Sequence, residues 1–170
     1  LVGSEMCIRD SYTTVICRIK SDTELTKAIA NKCPKIIVDG NVILTKAATL
    51  SAGQVLTADS AYSGSLELTK NAYVQTSNQN EISNLKIVNN STSSAVIYVS
   101  NNQNTTVLKK LDIVSNSPRP SGISIFQIIS SDNVSLNNIK ASSVLNCGTS
   151  TYSNHAIVYI CLLYTSDAAD

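Results

Sequence analysis

Tryptophan is missing from the 170 residues, and phenylalanine, methionine and histidine occur once each. With aromatics at 5%, the chain has material for one packed domain with a modest core and for nothing larger. Its single histidine, His155, has no His, Cys or carboxylate neighbours at ligand spacing, so a turn residue is the plainer reading than a metal ligand or a catalyst. The six glycines form no phosphate-cradling loop, and the cysteines show no zinc spacing. No metal or cofactor is expected. An excess of one charge is missing too. Thirteen Lys and Arg stand against twelve Asp and Glu, a net +1 that lacks the footprint of a nucleic-acid or anionic-membrane partner.

What is abundant is serine and asparagine, 25 and 17 of the 170 positions. Both disfavour helix interiors and favour turns, so the bias points to short strands punctuated by polar corners. The two ends stand apart from this pattern. Glu5 to Asp10 can be encoded by DNA whose reverse complement reads Cys-Leu-Leu-Tyr-Thr-Ser, which is Cys161 to Ser166. Inverted ends of this kind resemble translated transposase adapters, and residues 1–11 and 160–170 are set aside on that ground as adapter sequence. The remainder divides into an N-terminal strand and cap helix over 12–34 and a truncated run of coils over 35–159. It carries twelve bases against eight acids, and three cysteines: Cys17, Cys33 and Cys147. Cys17 and Cys33 are a candidate pair, but plain buried or free thiols are the expectation.

The coils announce themselves as a repeat. Ile82-x-x-Leu85-Lys86-Ile87-Val88-Asn89-Asn90 aligns with Leu108-x-x-Leu111-Asp112-Ile113-Val114-Ser115-Asn116 and with Leu136-x-x-Ile139-Lys140-Ala141-Ser142-Ser143, at offsets of 26 and then 28 residues. A second alternating run follows each: Ala95 to Val99, Gly122 to Phe126, His155 to Tyr159. Short period-2 strands recurring at this spacing fit an all-β fold, a right-handed parallel β-helix in which each coil stacks on the last. Asn90 and Asn116, at matching turns, are expected in the left-handed conformation with their amides bonded coil to coil. Upstream, Ser21-Asp22-Thr23-Glu24 is a capping-box pattern, and Leu25, Ala28 and Ile29 share one helical face, so a short helix before Pro34 is predicted to seal the open end of the solenoid. Lys35 to Leu44 reads as two strands around Asp39-Gly40, and residues 45–80 as one or two less regular coils.

The stretches Glu24 to Ile29 and Pro34 to Gly40 resemble the N-terminal entry of pectate lyases, and Asn133-Val134-Ser135-Leu136-Asn137-Asn138-Ile139 is similar to a generic coil of the pectate-lyase-like (pectin lyase fold) superfamily. The resemblance implies a secreted or cell-surface protein. It also covers polysaccharide lyases, hydrolases, adhesins and phage tailspikes. The hydrolase elements with paired Asp, Asn-Thr-Asp or Gly-His-Gly and the lyase element Trp-Ile-Asp-His are missing here, so no catalytic residue is assigned, and the chain is read as leaning away from enzyme activity. Two constellations remain. Lys86, Asp112 and Lys140 share one repeat position and would form a charged ladder at about 4.8 Å per rung. Its functional reading is proton abstraction from a uronic acid, its plainer and favoured one a solvated ion row. Tyr98, Phe126 and Tyr159 occupy matching places in the second run; with Ile97, Ile125 and Val158 inward, they would form an outward aromatic row flanked by Val96, Ile128 and Ile157. Such a row suits a polysaccharide or another protein surface, unless a loop covers it or the register is off by one. The expected role is therefore a scaffold for adhesion or polysaccharide recognition. The alternatives are part of a lyase or hydrolase with its catalytic residues elsewhere, or a tailspike-like trimer.

Overall fold

The computed structural model describes residues 15–100, 104–117 and 123–142 and, as backbone, 143 and 156–161. Strand β1 (Ile16–Ile19) leads into the helix α1 (Asp22–Ala30), and strands follow from there on: β2 (Lys35–Val38), β3 (Asn41–Leu44), β4 (Ala48–Thr49), β5 (Val55–Thr57), β6 (Gly64–Leu68), β7 (Val74–Thr76), β8 (Glu81–Ser83), β9 (Leu85–Asn89), β10 (Ala95–Ser100), β11 (Thr106–Ser115), β12 (Ser124–Ile129), β13 (Val134–Ser143) and β14 (Ala156–Cys161). Every strand pairing among the described residues is parallel. The chain is a parallel β-solenoid of about four turns. Three faces result. Face one stacks β1, β2, β5, β8 and the first halves of β11 and β13; face two stacks β3, β6, β9 and the second halves; face three stacks β4, β7, β10, β12 and β14.

The repeat read from sequence is the one that hydrogen-bonds. Ile82, Leu108 and Leu136 are register partners, as are Leu111 with Ile139 and Ile87 with Ile113. Alternation then sends one apolar set inward: Ile36, Leu56, Ile82 and Leu108 on face one and Val42, Leu66, Ile87 and Ile113 on face two are all fully buried. Each such side chain contributes about 1.5–3 kcal/mol of burial energy, and stacking identical positions lets every coil cover the last.

The corner between faces one and two is a single left-handed residue: Asn84, Lys110 and Asn138, with φ of 59°, 51° and 51°. Asn tolerates this conformation through its short polar side chain, whereas Lys110 holds it because the coils on either side dictate the bend. Asn90 and Asn116, expected there, are not among the left-handed residues. They sit at the next corner, where the Asn116 amide does donate to Asn90 Oδ1 of the coil below, at 3.4 Å. In the first coil Gly40, at φ +92°, turns the chain from β2 to β3; these strands lie on different faces, so Asp39-Gly40 makes a corner and not a hairpin. Gly64 has a different role. A Cβ there would sit 2.5 Å from the Val38 carbonyl oxygen, which only glycine avoids.

At the N-terminal end, Ser21 caps α1 by accepting from the Glu24 amide at 3.3 Å. The Glu24 carboxylate reaches back to the Lys20 amide, one residue before the cap. Leu25 and Ala28 are buried, and α1 packs against β1, β3 and β4. The helix ends where Lys32 turns left-handed and the Cys33 amide donates to the Ala28 carbonyl. That turn swings Cys33 under β1, and Cys17 and Cys33 form a disulfide, their Cα atoms 6.3 Å apart. The free-thiol expectation is thereby corrected: spacing alone did not reveal that the helix folds back on β1. Cys147 lies outside the described residues.

Candidate functional site

Face three holds the outward row, with one change of membership. The pairing of β10 with β12 sets Ile97 opposite Phe126 and Tyr98 opposite Gln127, and β14 continues with Val158 opposite Phe126 and Tyr159 opposite Gln127. Phe126 therefore belongs to the core, 1% exposed, and its place beside Tyr98 and Tyr159 in an outward row is corrected by one residue of register. Ile128 moves inward with it, opposite Val99, and Val96, expected to flank the row, is fully buried. The physical reason is Gln127. The register that aligns Ile125 with Ile97 would turn the Gln127 amide into the apolar core, a burial that costs several kcal/mol, roughly 1–3 by mutational data, unless the amide is paired. The side chain of Tyr159 lies outside the described residues; its backbone position is on the row.

The row so defined runs Thr49, Gln75, Tyr98, Gln127, Tyr159, one residue per coil. Tyr98 is half-buried and packs edge-on against Tyr73, ring centroids 4.7 Å apart, and its hydroxyl is hydrogen-bonded to Ser94. Gln75 donates through Nε2 to Ser100 Oγ at 3.0 Å, which fixes its amide across two coils. Beside this pair an open cleft of about 290 Å³ is lined by Thr49, Gln75, Thr76, Ser77, Asn78 and Ser100. Its lining side chains all carry a hydroxyl or an amide, and most of the surface they expose in it is apolar. None of the five strands of face three contains Asp, Glu, Lys or Arg.

The charged residues of the described strands are on the other two faces. Lys86, Asp112 and Lys140 are register partners on the outer side of face two, with Lys86 and Lys140 exposed and Asp112 half-buried. No ion pair joins them; among the described residues the ion pairs are Arg18 with Asp59, Lys20 with Asp39, and Lys109 with Glu81. The last two pairs and the first were not singled out from sequence, since each joins residues from different coils or from the cap, and no motif marks them. Arg18 makes a two-pronged contact with the Asp59 carboxylate, at 2.5 and 3.1 Å. That hydrogen bond, with the guanidinium charge, holds the Asp59 carboxyl below its ordinary range and raises Arg18 in turn. Glu81 accepts from Lys109 Nζ at 3.1 Å and from Ser83 Oγ at 2.7 Å, which leaves both charges committed to each other.

Among the described residues no group of three or more His, Cys, Asp or Glu is placed to hold a metal ion. No helix there is long and apolar enough to cross a membrane. His155 lies outside the described residues. No protein-family profile, no curated protein and no solved structure matches the chain.

Proposed function

We propose that the chain is a scaffold segment of a secreted or cell-surface protein, of the pectate-lyase-like kind of parallel β-helix, and that it binds an extended polysaccharide along face three. The observation that carries this reading is the uncharged outward row from Thr49 through Gln75 and Tyr98 to Gln127, set beside an open, uncharged cleft. Amides and hydroxyls at fixed rungs supply directional hydrogen bonds, and tyrosine rings supply apolar surface for the faces of sugars. A rigid solenoid spaces these groups at about 4.8 Å, so a chain lying across the strands meets an uncharged hydroxyl, amide or ring at every coil. The Cys17–Cys33 disulfide supports an oxidising, extracytoplasmic setting. No residue is assigned a catalytic role, and the row of Lys86, Asp112 and Lys140 is read as a solvated face.

The test is retention of the purified chain on a panel of insoluble polysaccharides, with Tyr98→Ala and Gln127→Ala as probes of the row. Retention of the parent with affinity reduced about tenfold in each variant, equivalent to ~1.4 kcal/mol, is the expected result. Failure of every polysaccharide to retain the parent would sink the reading.

A further inference from the structure

We infer that the polysaccharide taken by face three is neutral, with neither carboxylate nor sulfate on its sugars, and that its central contact is the Gln75–Ser100 pair; this rests on the reading of face three given above. Among the described strands charge is segregated by face, and the nearest lysines to face three, Lys46 and Lys70, lie in the turns that lead into β4 and β7. Arg18, Lys35, Glu81 and Lys109 belong to face-one strands, Glu67, Lys86, Asp112 and Lys140 to face-two strands, and β4, β7, β10, β12 and β14 have none. An acidic sugar laid on face three would give up hydration with no cation among these strands to replace it. A neutral sugar hydroxyl both donates and accepts, and it finds both functions here: side-chain amides at Gln75 and Asn78, hydroxyls at Thr49, Ser77 and Ser100.

The cleft is also built and not merely open. Gln75 donates to Ser100 Oγ, so its Nε2 and the hydroxyl of the next coil are held in one geometry. Asn78 Oδ1 accepts from the Asn104 backbone amide at 3.0 Å, which orients its own NH2 group. Donors and acceptors fixed before binding lose little conformational entropy when the ligand arrives.

The experiment measures binding of the full chain to soluble β-1,4-glucan oligosaccharides and galactomannan, as neutral probes, and to polygalacturonate and a sulfated galactan, as acidic probes. Titrations run from about 0.01 M to about 1 M salt, over which the screening length shrinks from about 30 Å to about 3 Å. Binding of a neutral probe that changes less than about twofold across this range is the expected outcome, since no charge pair contributes. Gln75→Ala should weaken it about tenfold, and Gln75→Glu, of equal size, should weaken it at least as much. Unchanged thermal melting of both variants separates lost binding from lost fold. Salt-sensitive binding of an acidic probe in preference to the neutral ones would overturn this inference while leaving the polysaccharide reading intact. Neutral binding that ignores both Gln75 substitutions would overturn the assigned site. Binding of no probe at all would overturn both.

Discussion

Thr106 shows how the interior of a solenoid is filled rung by rung, and where it is left unfinished. Gln54 and Asn80 precede it in the same ladder, and each is buried and satisfied: Gln54 accepts from the Ser51 amide and donates to the Cys33 carbonyl, while Asn80 accepts from the Ser77 amide and donates to the carbonyls of Ser51 and Gln54. Thr106 is fully buried, and its Oγ1 has no partner. A buried hydroxyl without a partner costs on the order of 1–3 kcal/mol, so Thr106→Val should raise stability by about 1 kcal/mol in urea unfolding. A drop in stability would mean that the hydroxyl is paired in solution. Phe126 and Gln127 give the corresponding test of register. Phe126→Ala should cost about 3–5 kcal/mol and Gln127→Ala within about 0.5 kcal/mol, by the same denaturation measurement. The reverse order would restore the alignment of Ile125 with Ile97.

At the scale of elements, the N-terminal cap is the part held by chemistry other than coil stacking. Strand β1 extends face one by pairing with β2, α1 lies over β3 and β4, and the disulfide ties β1 to the turn after α1. The cross-link closes a loop of sequence separation 16, for which the chain-entropy estimate is about 3 kcal/mol. Cys33→Ser, or reduction of the parent, should therefore lower the unfolding free energy by roughly that amount. The checking measurement is urea unfolding with and without reductant; Cys33→Ser itself should show no response to reductant at this site. Equal stability under both conditions in the parent would place the two thiols apart. The helix and its cap were legible beforehand because Ser21, Glu24, Leu25 and Ala28 are a local pattern. The disulfide was not, since it depends on how α1 returns against β1.

The whole molecule behaves as a one-dimensional stack, and its stability should be graded accordingly. Inward residues of the middle coils, such as Leu66, Ile82, Ile87 and Leu108, have a coil on either side and are fully buried. At the flanks, Ile16 is 49% exposed and Leu136 39%, although Leu136 continues the row of Ile82 and Leu108. Hydrogen exchange should show greatest protection in β8, β9 and the middle of β11 and least in β1 and β13, with protection falling coil by coil between them. Uniform protection across all coils would indicate a single cooperative unit in place of graded opening.

Repetition made the architecture readable: Ile82, Leu108 and Leu136 share a position because each must fill the same inward slot, and the period between them is the length of one coil. Local chemistry likewise dictated the capping of α1 and the break at Gly40, whereas the corner at Asn84, inside the run from Ile82 to Asn90, emerged only with the coils stacked. Register on face three was decided elsewhere. Ile125 and Phe126 are adjacent, apolar and both buried, so hydrophobicity alone does not choose which of them points inward; the stacking of Phe126 in register with Ile97 and Val158, which leaves the Gln127 amide outside the core, does. The same holds for the Cys17–Cys33 bond, for the ion pair of Lys109 with Glu81, and for the charge-free cleft between Gln75 and Ser100. None of these is a local pattern: the return of α1 against β1 brings the two cysteines together, and the winding of one coil onto the next brings the other pairs within reach.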